Sequence, residues 1–187
     1  AVIRVIAEKL REYGAVNVVL DPVMVSTSGH SLLEPEAKEA LTEELLPLAS
    51  LSTPNLPETE ALTGISVTSK ELAEKAAEAL FEKSRNPVLV KGGHREGSAD
   101  DLLWTAKGPR WYEGRQIPTE NSHGTGCTLS SAIASCLALG LSLEEAVQEA
   151  KDYLTGALAA GLDLGRGRGP VDHCFRIRPL TKEGGKP

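Results

Sequence analysis

Pro87-Val88-Leu89-Val90-Lys91-Gly92-Gly93 carries an unbroken apolar run that ends on a lysine and two glycines. Such a run, rich in β-branched residues, reads as a strand buried on both faces, the kind that parallel sheets contain. The neighbouring segments repeat the grammar. Upstream, Ser69 opens a helix that runs to about Lys83. Before it lie a short helix, Pro57 to Leu62, closed by Gly64, and a short strand, Leu48 to Thr53, stopped by Pro54. Pro35 to Leu46 reads as a helix with proline at its start and Pro47 just after it. Val16-Asn17-Val18-Val19-Leu20 reads as another buried strand, closed by Asp21-Pro22. Val2, Ile3, Ile6 and Leu10 recur at helical spacing and end at Gly14. Downstream, Asp101 to Thr105 and Arg110 to Tyr112 form a hairpin across Lys107-Gly108-Pro109, and Ile117 lies in a further extended piece. Gly126 to Leu139 and Leu143 to Ala160 are two long helices. This alternation predicts an α/β fold: a mostly parallel sheet with helices on both faces. A length of 187 residues suits one domain over 1–187.

Composition narrows the function. Apolar residues make up 41 % and charged residues 25 %, which excludes a disordered chain. The net charge of −6 argues against nucleic acid and against an anionic membrane as partners. Two arginines in Gly165-Arg166-Gly167-Arg168-Gly169-Pro170, without stacking aromatics, read as a loop rather than an RNA contact. Cys127, Cys136 and Cys174 show no CxxC pairing, so neither a disulfide framework nor a zinc ribbon is expected, and a reducing cytoplasm is the simplest compartment. Charges interrupt the apolar residues at the N-terminus, unlike a signal peptide. Asn121 to Leu143 lacks Asp, Glu, Lys and Arg but is rich in Gly, Ser and Thr, which suits a buried helix rather than a membrane span.

In parallel α/β sheets ligands bind beyond the carboxyl ends of the strands. Asp21, Asn55 and Lys91 sit just there, together with the glycine loop His123-Gly124-Thr125-Gly126-Cys127-Thr128 that opens an apolar helix. Gly124 and Gly126 let backbone N–H groups turn toward one point, and a helix N-terminus adds its own donors: an anion hole suited to a phosphoryl group. Cys127 falls on the first helical turn and suits a base or nucleophile; the alternative is a small residue packed at a tight junction. Asp21 suits a hydrated magnesium ion, or caps local backbone. Glu58 suits the same ion, or is a helix-start glutamate favoured by the dipole. Lys91, beside two glycines, suits a nucleotide phosphate, or is a solvated turn lysine. His30, His94 and His123 are read as loop residues, His123 either orienting the loop by a hydrogen bond or without a role, and Cys136 as a buried hydrophobe. A magnesium carboxylate, a phosphate lysine, an anion hole and a base together form the inventory of phosphoryl transfer.

Five ordered segments also carry a family resemblance. They are Asp21-Pro22-Val23-Met24 with Ser28-Gly29; Leu51 to Glu58; Val90-Lys91-Gly92-Gly93-His94; His123 to Ser130; and Gly169-Pro170-Val171-Asp172-His173. The chain resembles the hydroxymethylpyrimidine / phosphomethylpyrimidine kinases of thiamine biosynthesis, in the ribokinase-like fold. The resemblance implies ATP and Mg2+ as cofactors, a small pyrimidine alcohol or its phosphate as substrate, a cytoplasmic location, and allows a homodimer. It implies that Asp21 and Glu58 bind the metal, and that Asn55, Glu58, Lys91 and Thr125 lie on the nucleotide. It implies that Gly124 and Gly126 form the anion hole, Cys127 is the catalytic base in contact with substrate, and Val23 lines the pyrimidine pocket. Pyridoxal or pyridoxine kinases with the same cysteine are the alternative, and a non-catalytic nucleotide-binding fragment is another. The family's N-terminal Gly-Ser-Asp-Ser motif has no match, so an N-terminal portion of the fold is expected to be absent. Thr27 stands where many relatives carry lysine, and Arg166 and Arg168 where relatives often carry histidine.

Overall fold

The computed structural model describes residues 2–24, 32–93, 99–162, 167 and 169–177. Thr27, Ser28, Gly29, His30, His94, Arg166 and Arg168 lie outside the described residues. Five strands form one sheet in sequence order: β1 (Val19–Leu20), β2 (Leu51–Ser52), β3 (Val88–Val90), β4 (Asp101–Thr105) and β5 (Gly108–Tyr112). β1, β2 and β3 pair in parallel, and the β4–β5 hairpin joins β3 antiparallel. The helices are α1 (Val2–Glu12), α2 (Pro35–Ala40), α3 (Leu56–Thr63), α4 (Lys70–Ser84), α5 (Thr125–Ala138) and α6 (Leu143–Ala159). Ile117 belongs to no strand.

The two-residue period of the strands divides the core between two faces. Val88, Val90 and Leu102 point to one side, where they meet Leu41, Leu46, Leu62, Ala73, Ala77 and Leu80. Leu89 and Leu103 point to the other, against Leu129, Ile133, Ala146, Val147 and Ala150 of α5 and α6. Because β3 is buried on both faces, its sequence shows no polar alternation. The α/β expectation with helices on both faces therefore holds.

Several boundaries differ. The hairpin turns at Ala106-Lys107 rather than across Lys107-Gly108-Pro109, with Thr105 paired to Gly108, so β5 starts at Gly108 and not at Arg110. Gly14, at a left-handed φ of 56°, closes α1 as expected, and the strand expected from Val16 shrinks to Val19–Leu20 because Asn17 also adopts a left-handed φ of 56°, which no strand residue holds. The helix expected from Pro35 to Leu46 is α-helical only to Ala40. It widens into a π-turn at Leu41–Leu45, where Leu46 N–H reaches back to Leu41 C=O, and tightens to a 3-10 turn at Leu46–Leu48. Pro47 has no N–H to continue the ladder and its ring crowds the preceding turn. The 3-10 turn also delays β2, expected from Leu48, until Leu51.

Helix starts follow their signals. Ser69 caps α4, accepting from Leu72 N–H at 3.2 Å. Asn55 with Glu58, and Ser142 with Glu145, close reciprocal capping boxes on α3 and α6.

Leu80 is 1 % exposed, at the centre of the face formed by α3, α4 and the sheet. Leu80→Ala should cost about 2–5 kcal/mol. Urea denaturation should show a lower midpoint with an unchanged slope.

Candidate active site

The register of the parallel strands brings their carboxyl ends to one place. Leu20 pairs with Ser52, and Ser52 with Val88. Beyond the strands the pairing continues as a bridge between Asn55 and Lys91, with Lys91 N–H donating to Pro54 C=O at 2.8 Å. Asp21 follows β1, Asn55 and Glu58 follow β2, and Lys91 follows β3. Lys91 Nζ donates to Asp21 Oδ1 at 2.6 Å, with both side chains largely buried. Lys91 is therefore no solvated turn residue. Its charge is held at the strand ends by a carboxylate.

The start of α5 closes this group from above. Gly124 caps α5 with φ +80°, a left-handed conformation that disfavours a side chain. Gly126 then faces the ion pair. A methyl group there would stand 3.2 Å from Lys91 Nζ and 3.8 Å from Asp21 Oδ2. A side chain there would press the lysine head aside by a few tenths of an ångström, so glycine leaves the ion pair undisturbed beside the helix start. Thr125 is the first residue of the helix, and Cys127 is exposed on its first turn.

Hydroxyls fasten α5 to the sheet and to the tail. Ser130 Oγ lies 3.0 Å from Gly126 C=O and shares a hydrogen bond of 2.8 Å with Thr53 Oγ1, which is fully buried just after β2. Thr53 Oγ1 also lies 3.3 Å from Asp21 Oδ1. Thr128 Oγ1 lies 2.8 Å from Gly124 C=O and shares a hydrogen bond of 3.0 Å with His173 Nε2. His123 joins the tail through its backbone, donating to Gly169 C=O at 3.3 Å. Thr53, Ser130 and His173 sit inside the quoted motifs without a role from sequence. A hydroxyl's partner across the fold leaves no mark on spacing.

Glu58 is 2 % exposed. Its Oε2 accepts Asn55 N–H at 2.8 Å while Asn55 Oδ1 accepts Glu58 N–H at 2.9 Å. The helix-start reading of Glu58 is therefore realised. Burial raises its carboxyl pKa, opposed by the Asn55 hydrogen bond, the Lys91 charge and a Met24 amide; the Asp21 charge adds to the rise.

A cleft of about 640 Å³ opens on the other side of the α5 start. Cys127, His123, His173, Tyr153 and Arg176 are among its lining residues. Asp21, Glu58, Lys91 and Val23 are not. Cys127 thus faces the open groove, one residue after the glycine that approaches the charged strand ends. Val23 is 46 % exposed, and its N–H donates to Asp21 C=O at 2.9 Å. Among the described residues no three His, Cys, Asp or Glu side chains gather as a metal cage. Magnesium needs none, since it keeps several waters and takes one or two carboxylates with substrate phosphates. Asp21 fits that use directly; Glu58, engaged by backbone amides, fits it through water.

The phosphomethylpyrimidine kinase family model matches residues 1–172. The chain belongs to the phosphomethylpyrimidine kinase family. It is 50 % identical over 179 residues to a hydroxymethylpyrimidine/phosphomethylpyrimidine kinase of Rhizobium meliloti (strain 1021), covering 93 % of this chain and 66 % of that protein. A crystal structure of phosphomethylpyrimidine kinase from Clostridium difficile 630 is 42 % identical with a TM-score of 0.73, over 83 % of this chain and 63 % of that one. The pyridoxal kinase of Staphylococcus aureus in complex with AMP-PCP is 34 % identical with a TM-score of 0.85, over 94 % and 64 %. The chain spans just under two thirds of each of these relatives. The fold is the ribokinase-like one expected from the sequence.

The raised Glu58 pKa gives a signed pH dependence. A buried acid that binds its proton more tightly folded than unfolded costs stability as pH rises from the ordinary carboxylate value through the folded one. Glu58→Gln keeps an oxygen for the Asn55 N–H and removes the charge. It should flatten that decline in stability in a series of urea titrations across pH.

Proposed function

We propose that this chain carries the phosphoryl-transfer centre of a hydroxymethylpyrimidine / phosphomethylpyrimidine kinase, with residues 1–187 as one kinase domain or the C-terminal portion of one. The observation that carries the proposal is the approach of the Gly126 turn to the Lys91–Asp21 pair. It puts a cation, a carboxylate and the donor end of a helix at the same three strand ends. That arrangement neutralises and orients phosphate, which is most of what catalysis of phosphoryl transfer requires. Membership of the family supports the substrate class.

In this reading Lys91 meets a phosphate of ATP, and Asn55 and Thr125 lie along the nucleotide. Gly124 and Gly126 present backbone N–H groups to the transferring phosphoryl group. Cys127 Sγ, as thiolate, takes the proton of the pyrimidine alcohol while that oxygen bonds the γ-phosphorus. The bond from γ-phosphorus to the β–γ bridging oxygen breaks, and ADP leaves. Repeated on the monophosphate, the same step gives the pyrophosphate. Mg2+, held by Asp21 and through water by Glu58, would offset phosphate charge. Val23 would touch the ring. The compartment would be the cytoplasm. Among the described residues no helix is long and apolar enough to cross a membrane. A homodimer is compatible with the reading.

A second reading, a pyridoxal kinase, has one observation in its favour: the higher TM-score of the Staphylococcus aureus pyridoxal kinase. A turnover assay by mass spectrometry decides between them. The chain meets MgATP with hydroxymethylpyrimidine, its monophosphate and pyridoxal in parallel. Pyrimidine phosphorylation is the expected product. Pyridoxal phosphate alone would favour the second reading, and nucleotide binding without turnover would leave a binding fragment. Cys127→Ala should lower kcat by about 10²–10⁴-fold with nucleotide affinity nearly unchanged, and a fully active variant would remove the base assignment. Gly126→Ala should displace the Lys91 ammonium and raise the KM for MgATP, measured by steady-state kinetics.

A further inference from the structure

Lys151 is a charged residue on the apolar face of α6, four residues after Val147, and it is 8 % exposed. Its Nζ donates to Asp101 Oδ2 at 2.5 Å and to Ala99 C=O at 3.1 Å. Asp101, 6 % exposed at the start of β4, accepts Gly92 N–H on Oδ1 at 2.8 Å. A buried ion pair is a poor source of stability, because desolvation offsets its attraction. Its retention calls for another reason, and the partner of Asp101 supplies one.

Gly92 directly follows Lys91. The peptide before the Lys91 Cα is tethered by Lys91 N–H to Pro54 C=O, and the peptide after it by Gly92 N–H to Asp101. With both flanking peptides fixed, φ and ψ of Lys91 are fixed, and so is the direction of its Cβ. Gly92 also shows why glycine is needed there. A Cβ would stand 1.8 Å from Asp100 C=O, so the close approach at Gly92 is that of the chain's own backbone rather than of a ligand.

We propose that Lys151 is a positioning residue for nucleotide binding. It holds the Asp101 carboxylate against Gly92 N–H and so keeps Lys91 aimed at the phosphate site. The proposal rests on the reading of Lys91 as a phosphate contact. Lys151 touches neither nucleotide nor acceptor and acts only through Asp101 and Gly92.

Removing Lys151 alone would strand a buried carboxylate and endanger folding. The test therefore uses two charge-free pairs in the full chain. In Asp101→Asn with Lys151→Met, the amide oxygen still accepts Gly92 N–H. In Asp101→Leu with Lys151→Met, nothing does. Two readouts are taken: hydrogen exchange of the Gly92 amide by NMR, and calorimetric binding of Mg2+ with a non-hydrolysable ATP analogue. The Leu/Met pair should exchange Gly92 faster and bind the analogue about tenfold more weakly, the worth of one charge-assisted hydrogen bond. The KM for the phosphoryl acceptor should stay unchanged. The Asn/Met pair should return both readouts to near the native values. Native exchange and native affinity in the Leu/Met pair would overturn the proposal. If faster Gly92 exchange leaves affinity untouched, the anchor exists but does not serve binding, and the proposal also falls. If the native chain itself gives no binding heat, the phosphate reading of Lys91 falls, and the positioning role falls with it.

Discussion

The parallel register of β1, β2 and β3 sets where charge can gather in this protein. Leu20 and Ser52 end β1 and β2 beside Val88, which opens β3, and β3 runs on to Val90, so that Lys91 bridges Asn55 beyond the end of β2. A carboxylate, a capped helix start and an ammonium are thereby brought to a single edge of the sheet. A slip of one residue in β3 would turn Val88 and Val90 to the opposite face and carry Lys91 away from Asp21. The apolar period that fills the two faces of the core thus also fixes the position of the polar residues beyond it.

At that edge each group is held more than once. Lys91 has its side chain on Asp21 and its backbone between Pro54 and Asp101. The start of α5 is fastened to β2 through Ser130 and Thr53, and to the tail through Thr128 and His173. Such preorganisation suits electrostatic catalysis, where donors must already point at the place where charge develops. The same α5 turn presents Gly126 to the charged edge and Cys127 to the cleft on its other side. A helix start changes face from one residue to the next, so one turn serves two surfaces.

Two opposing demands meet in Glu58. Its carboxylate completes the cap of α3, which favours the charged form, while burial disfavours it. The nearby lysine and aspartate pull its charge in opposite directions. Burial outweighs the rest, and the carboxyl pKa stands above its ordinary value.

Much of this protein is written locally. Val88-Leu89-Val90, the Asn55–Glu58 and Ser142–Glu145 pairs, Ser69 and the Gly124-Thr125-Gly126 turn act over a few residues, through strand period, capping and left-handed backbone. The sequence by itself therefore determined the α/β class, the strand ends and the family. Boundaries slipped where a single residue overrode the pattern, as Asn17 did for β1 and Pro47 for the helix after Pro35. What only the tertiary structure decided are the partners: Lys91 with Asp21, Thr53 with Ser130, Lys151 with Asp101, and Gly92 against Asp100. These link residues far apart in the chain. Their distances follow from how the two faces of the sheet are packed, which no local spacing records.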